Sequence, residues 1–213
     1  MWEVDAMPRR LRILVADDHP VYRKGIMALL SDERDMQFVG EAANGREAVE
    51  KVRILQPDVT LMDLRMPEMG GIDAITAIRS EYPSAKIIVL TTYGGDILAQ
   101  RALIAGAQAY LLKGMVRSDL IDTIRAVHSG QKRISTDVAM QLANHMGEAP
   151  LSEREAQVLT LVARGNSNKR IAGCLGIQEE TAKGHVKSIL AKLGASDRTH
   201  AVTLALARGV IEI

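Results

Sequence analysis

Val59-Thr60-Leu61-Met62-Asp63-Leu64-Arg65-Met66-Pro67-Glu68-Met69-Gly70-Gly71 is an apolar run that ends in a carboxylate and then in a loop of proline and glycine. The pattern predicts a buried strand that delivers Asp63 to the edge of a sheet. In open parallel sheets ligand chemistry gathers just beyond the carboxyl ends of the strands, so other strands should bring complementary groups to the same edge. They do: Leu11–Ala16 runs into Asp17 and Asp18, Lys86–Leu90 into Thr91, and Tyr110–Leu112 into Lys113. Three acids, a hydroxyl and an amine therefore converge on one crevice.

Outward from this stretch, strand and helix patterns alternate with short connections. Helical spacing of apolar residues follows Pro20, runs from Asn44-Gly45 to Pro57, from Gly71 to about Ser80, from Asp96 to about Ala105, and from Ser118 to Ser129, while Met36–Ala42 supplies a further strand. Five βα units over residues 11–130 imply an α/β fold, a doubly wound parallel five-stranded sheet with helices on both faces. Residues 1–10 read as an N-terminal extension and 131–150 as a linker holding one helix, Thr136–His145, with joints at Gly130 and Gly147.

After Pro150 the strand pattern disappears, and residues 151–213 read as a small all-α domain. Ser152-Glu153-Arg154-Glu155 is a capping box that opens a helix with Val158, Leu159 and Val162 inward. A short helix capped by Ser167 or Asn168 turns at Gly176 into a longer one, Glu179–Leu193, whose Ala182, Val186, Ile189, Leu190 and Leu193 form one buried stripe. Two helices joined by a glycine-containing turn, the second amphipathic with bases outward, form a helix-turn-helix signal.

Composition narrows the function classes. The 27 basic residues nearly balance 26 acidic ones, but residues 11–130 carry 14 bases and 16 acids whereas 151–213 carry nine and six, so only the second part favours an anionic partner. The single cysteine, Cys174, forms no intrachain disulfide, which fits a reducing compartment. No apolar run approaches the roughly 18 residues that span a bilayer, and Met1–Arg10 lacks the apolar centre of a signal peptide; a cytoplasmic protein with no membrane partner is expected.

Three carboxylates in one crevice repel one another unless a divalent cation is present, and hard oxygen donors point to Mg²⁺. With the metal held, one carboxylate can attack a phosphoryl group and become an aspartyl phosphate, its charge balanced by the Lys113 ammonium and the Thr91 hydroxyl.

The motifs VADDHP, LMDLRMP, VLTTY and AYLLKG, followed by LSEREAQVL, RGNSNKRIA, TAKGHVKSIL, AKLG and DRTHAV, resemble in order and spacing a two-component response regulator of the NarL/FixJ family: a receiver over 11–130 and a LuxR-type helix-turn-helix over 151–209. The resemblance implies that Asp63 accepts phosphate from a histidine kinase, and that Asp17, Asp18, Asp63 and the backbone carbonyl of Arg65 hold Mg²⁺. It makes Thr91 and Tyr110 a switch pair, the hydroxyl moving toward the phosphoryl group and the ring following inward. Thr92 competes for the hydroxyl role, and Thr91 is preferred because it directly follows the apolar strand.

In the second domain the resemblance makes Glu179–Leu193 the recognition helix of a major-groove DNA reader, with Thr181, Lys183, Gly184, His185 and Lys187 on it. Lys183 and Lys187 lie at i, i+4 opposite the apolar stripe and can meet guanine acceptors or phosphate. Lys169 and Lys192 are candidate phosphate contacts, and His185 packs against the backbone. Gln178 and Gly184 depart from the family pattern, which has a better cap and a larger side chain at these places. The last helix, with Thr199, Ala201, Val202 and Ala205, resembles the family's dimerisation helix.

The expectation is a DNA-binding transcription regulator that dimerises when Asp63 is phosphorylated, with no catalysis beyond self-phosphorylation and slow autodephosphorylation at that residue. The alternatives are a regulator that works without phosphorylation and a Mg²⁺-dependent phosphatase, against which Arg65 stands where a second aspartate would serve as acid and base.

Overall fold

The computed structural model of the protein describes residues 9–92, 95–114, 117–134, 136–144 and 150–211. Most of the expected N-terminal extension, together with His145 and Gly147 of the expected linker, lies outside them.

The chain divides into two compact units. Up to Ile134 the elements are, in chain order, β1 (Leu11–Ala16), α1 (Pro20–Ser31), β2 (Met36–Ala42), α2 (Gly45–Leu55), β3 (Val59–Met62), α3 (Gly71–Glu81), β4 (Ile87–Thr91), α4 (Asp96–Ala105), β5 (Ala109–Leu112), α5 (Arg117–His128) and β6 (Arg133–Ile134). All strand pairs are parallel, in the order β2-β1-β3-β4-β5-β6. Every residue of β3 and β4 is buried, as it must be for strands covered on both faces, which is why they read as unbroken apolar runs. The core on one face of the sheet gathers Ile13 and Val15 of β1, Leu61 of β3, Ile88 of β4, and Ile121 and Ile124 of α5.

One short strand joins the five expected. The sheet has six strands, because Arg133 and Ile134 pair with Ala109 and Tyr110. A two-residue edge strand with both side chains exposed leaves no hydrophobic alternation to read. The stretch expected as a linker thus begins inside the sheet, then forms α6 (Thr136–Asn144).

The second unit packs α7 (Glu153–Ala163), α8 (Asn168–Leu175), α9 (Glu179–Leu193) and α10 (Arg198–Arg208) around Val158, Leu159, Ile171, Ala182, Ile189 and Ala205. The capping box forms as written: the Ser152 hydroxyl accepts from the Glu155 amide while the Glu155 carboxylate accepts from the Ser152 amide. Ser167 caps α8, and Gly176 and Gly194 end α8 and α9 in the left-handed region at φ of 65° and 61°. Gln178 stands at the N-cap of α9 and makes no side-chain cap bond.

Candidate functional site

The strand order reverses between β1 and β3, and the crevice at such a reversal is where an open α/β sheet presents its chemistry. The Asp63 amide donates to the Ala16 carbonyl at 2.8 Å and the Asp17 amide to the Ala42 carbonyl at 3.0 Å, so the sheet ladder places both acids at one edge. Asp17 is 2 % and Asp63 4 % exposed, and Thr91, the last residue of β4, is fully buried. The Lys113 ammonium lies 2.7 Å from Asp17 Oδ2 and 2.6 Å from Asp63 Oδ2, bridging the two carboxylates. Burial pulls the Lys113 pKa down, but the hydrogen bonds it donates to Asp17 and Asp63 outweigh it and hold the value above the ordinary one.

Asp63 Oδ1 also accepts from the Leu64 amide at 2.7 Å. The loop behind it is closely fitted: a Cβ on Gly71 would fall 2.0 Å from the Asp63 carbonyl oxygen, so only glycine lets α3 start there. Arg65 follows in this same loop.

Donor atoms of Asp17, Asp18, His19 and Asp63 all lie within 4.8 Å of one another. Asp18 Oδ1 is buried without a hydrogen-bond donor, and the 2.6 Å approach of His19 Nδ1 to it lacks hydrogen-bond alignment. Three carboxylates facing one ammonium leave surplus negative charge, and a buried carboxylate oxygen without a donor suits a hard cation; the residues fit a divalent metal.

Tyr110 is 0 % exposed, so its ring already sits inward. Burial and then the Asp63 charge push its pKa well above the ordinary tyrosine range.

Three neighbours of the crevice escaped the sequence reading. Arg23 Nη1 donates to the Asp17 carbonyl at 2.6 Å while its Nε donates to Glu41, clamping the loop that carries the acids. The Tyr22 ring stands 4.9 Å from the Lys113 ammonium, and burial followed by the Asp17 and Asp63 charges raises its pKa to about 12. His19 is the third. All three sit in the first turn of α1 or just before it, where the residues after an acidic pair would naturally be searched.

On the second unit, Thr181, Lys183, Gly184 and Lys187 are exposed on α9, and Lys169 is exposed on α8. Lys183 pairs with Glu180 one turn back at 3.1 Å, and His185 is half-buried. A Cβ on Gly184 would meet nothing within 4 Å. Two of the expected roles meet contacts made within the unit itself. Lys192 donates to Glu155 Oε2 at 2.7 Å and to the Pro150 carbonyl at 3.2 Å, so in the free protein its ammonium is engaged within the fold. Ala201 and Ala205 are 1 % and 0 % exposed in the unit's own core, so of the proposed dimerisation residues only Thr199 and half-buried Val202 reach the surface. Small residues at i, i+4 mark a close helix contact without saying whether it lies within one chain or between two.

Residues 13–125 match the response regulator receiver domain, and residues 149–205 match the luxR family of bacterial regulatory proteins. The chain belongs to the LuxR-type response regulators. The transcriptional regulatory protein YhcZ of Bacillus subtilis is 42 % identical over 205 residues, covering 92 % of this chain and 95 % of that protein. The response regulator protein VraR of Staphylococcus aureus is 38 % identical over 207 residues, covering 95 % and 99 %. Among solved structures, the response regulator ChrA of a heme-sensing two-component system shares 32 % identity at a TM-score of 0.58 over 95 % of this chain and 99 % of its own. An RcsB–DNA complex shares 27 % identity at a TM-score of 0.70 over 93 % and 99 %. The response regulator fold thus accounts for both units, and among the described residues no helix is long and apolar enough to cross a membrane.

Proposed function

We propose that this response regulator is phosphorylated on Asp63 by a partner histidine kinase and then, as a homodimer, binds double-stranded DNA to regulate transcription. The observation that supports this most strongly is the bridging of Asp17 and Asp63 by the Lys113 ammonium at the edge where β4 ends in Thr91. An Asp63 carboxylate oxygen forms a bond to phosphorus, the bond from phosphorus to the kinase's imidazole nitrogen breaks, and its electron pair returns to the ring. Asp17, Asp18, Asp63 and the Arg65 carbonyl are the groups assigned to hold Mg²⁺, which when bound supplies charge neutralisation for the transferred phosphoryl oxygens. Lys113 and the Thr91 hydroxyl would serve the same oxygens, and Tyr110 is the switch partner of Thr91. Lys183 and Lys187 face the major groove together with Thr181 and Gly184, while His185 packs against the DNA backbone and Lys169 meets phosphate.

The test is incubation of the full chain with a small phosphodonor and Mg²⁺. One acid-stable, base-labile phosphate per chain should appear, should vanish in Asp63→Asn with the fold intact, and should be lost in Asp18→Ala. Persistent labelling of the Asn variant would overturn the acceptor assignment, and sustained release of phosphate would favour a phosphatase.

A further inference from the structure

We propose that Glu155 is a positioning residue for DNA reading: its buried carboxylate, held by Ser188 and Lys192, sets the roll and height of α9 so that Lys183 and Lys187 point outward. This rests on the DNA-binding reading above.

A capping-box glutamate needs only to reach back to its cap amide. Glu155 does so, its Oε2 accepting from the Ser152 amide at 2.7 Å, but it also reaches across to α9. Its Oε1 accepts from the Ser188 hydroxyl at 2.6 Å and its Oε2 from the Lys192 ammonium at 2.7 Å. The carboxylate is 5 % exposed, where leaving such bonds unmade is costly. Burial raises its pKa, yet the bonds from Lys192, Ser188 and Ser152 win and bring it to about 2, so it is ionised wherever DNA would be bound.

The geometry is that of a two-point mount. Ser188 and Lys192 are one turn apart on the same face of α9, so one carboxylate fixes both the rotation of the helix and its position along its axis. α9 also meets the unit through the apolar stripe of Ala182 and Ile189 with partly buried Val186, Leu190 and Leu193. Apolar contact is non-directional and tolerates small rolls and slides, whereas hydrogen bonds do not. Each residue advances the helix by about 100°, so even a modest roll would carry Lys187, which immediately precedes Ser188, off its bearing.

The experiment uses the full chain with phosphodonor and Mg²⁺, well below its melting temperature, titrated against a selected operator and a random duplex over a range of salt. Ser188→Ala and Lys192→Met should lower operator affinity roughly tenfold while leaving random-duplex affinity within about twofold and its salt slope unchanged. Lys192→Arg should restore operator binding. Glu155→Gln should act like Lys192→Met; should it fail to fold, Ser188→Ala removes one hydroxyl alone and still decides. A fall in the random-duplex salt slope of about 0.9 in Lys192→Met would overturn the proposal by making Lys192 a phosphate contact. An operator-to-random ratio unmoved in every variant, with only melting lowered, would overturn it by leaving Glu155 a stabilising role alone. If the unsubstituted chain shows no operator preference, the DNA-binding reading itself has failed and this inference falls with it.

Discussion

The backbone amide of Lys113 donates to the carbonyl of Thr91 at 2.8 Å, which locks the end of β5 to the end of β4. The two residues whose hydroxyl and ammonium are assigned to the phosphoryl oxygens are therefore held together at one corner of the sheet by a bond that involves neither side chain.

Lys113→Met should keep that corner, since the amide bond is unchanged, while removing the cation between Asp17 and Asp63. Labelling by phosphodonor should slow on the order of 10²-fold. Mg²⁺ should bind more tightly, because two carboxylates lose their internal counter-ion. Calorimetric titration measures the second effect separately from the first.

Gly71→Ala should cost about 1–3 kcal/mol in denaturant unfolding, since its Cβ would collide with backbone at 2.0 Å. Gly25→Ala is the opposite case. It lies within α1 with nothing within 4 Å of the added carbon and should stabilise by about 0.5–1 kcal/mol.

Lys169→Ala should weaken binding to all duplexes alike and reduce the salt slope by about 0.9. Lys187→Ala should cost roughly 1–3 kcal/mol on the operator and relax its sequence preference. An unchanged ratio of operator to random binding in Lys187→Ala would remove its base-reading role.

Gly184→Ala should raise stability by about 0.5–1 kcal/mol, read as a higher melting temperature, because the free protein has open space at that position. Weaker operator binding in the same variant would place the backbone of α9 close against the groove. Equal or better binding would make the glycine a tolerated weakness.

Acid should loosen the second unit through Glu155. Its folded pKa of about 2 lies below the ordinary 4.5, so its contribution is fully present above about pH 5 and is lost as pH falls through the folded value. That loss is on the order of 3 kcal/mol and should be absent from the profile of Glu155→Gln, followed by helical circular dichroism.

The strands that carry the crevice were readable because burial on both faces writes them as unbroken apolar runs, each ending in a polar group: Asp17, Asp63, Thr91 or Lys113. The capping box was readable because Ser152 and Glu155 interact within one turn. What escaped was long-range: nothing near Lys192 announces a carboxylate 37 residues earlier, and its place at the end of a basic helix argued for phosphate instead. Ala201 and Ala205 escaped because helical spacing gives a face but not what the face meets. Arg23 escaped because its principal partner is the backbone carbonyl of Asp17, and sequence patterns describe side chains.

The short strand β6 makes the expected boundary at residue 130 a poor place to cut this protein. A fragment ending there would strip β5 of its outer neighbour, leaving it paired with β4 alone, and turn Ala109–Leu112, whose first three residues are buried, into an open margin of the sheet. Unpaired backbone beside apolar side chains recruits further strands from other molecules. Self-association seen in such a fragment would then report the missing Arg133 and Ile134 and not the natural pairing of the intact regulator.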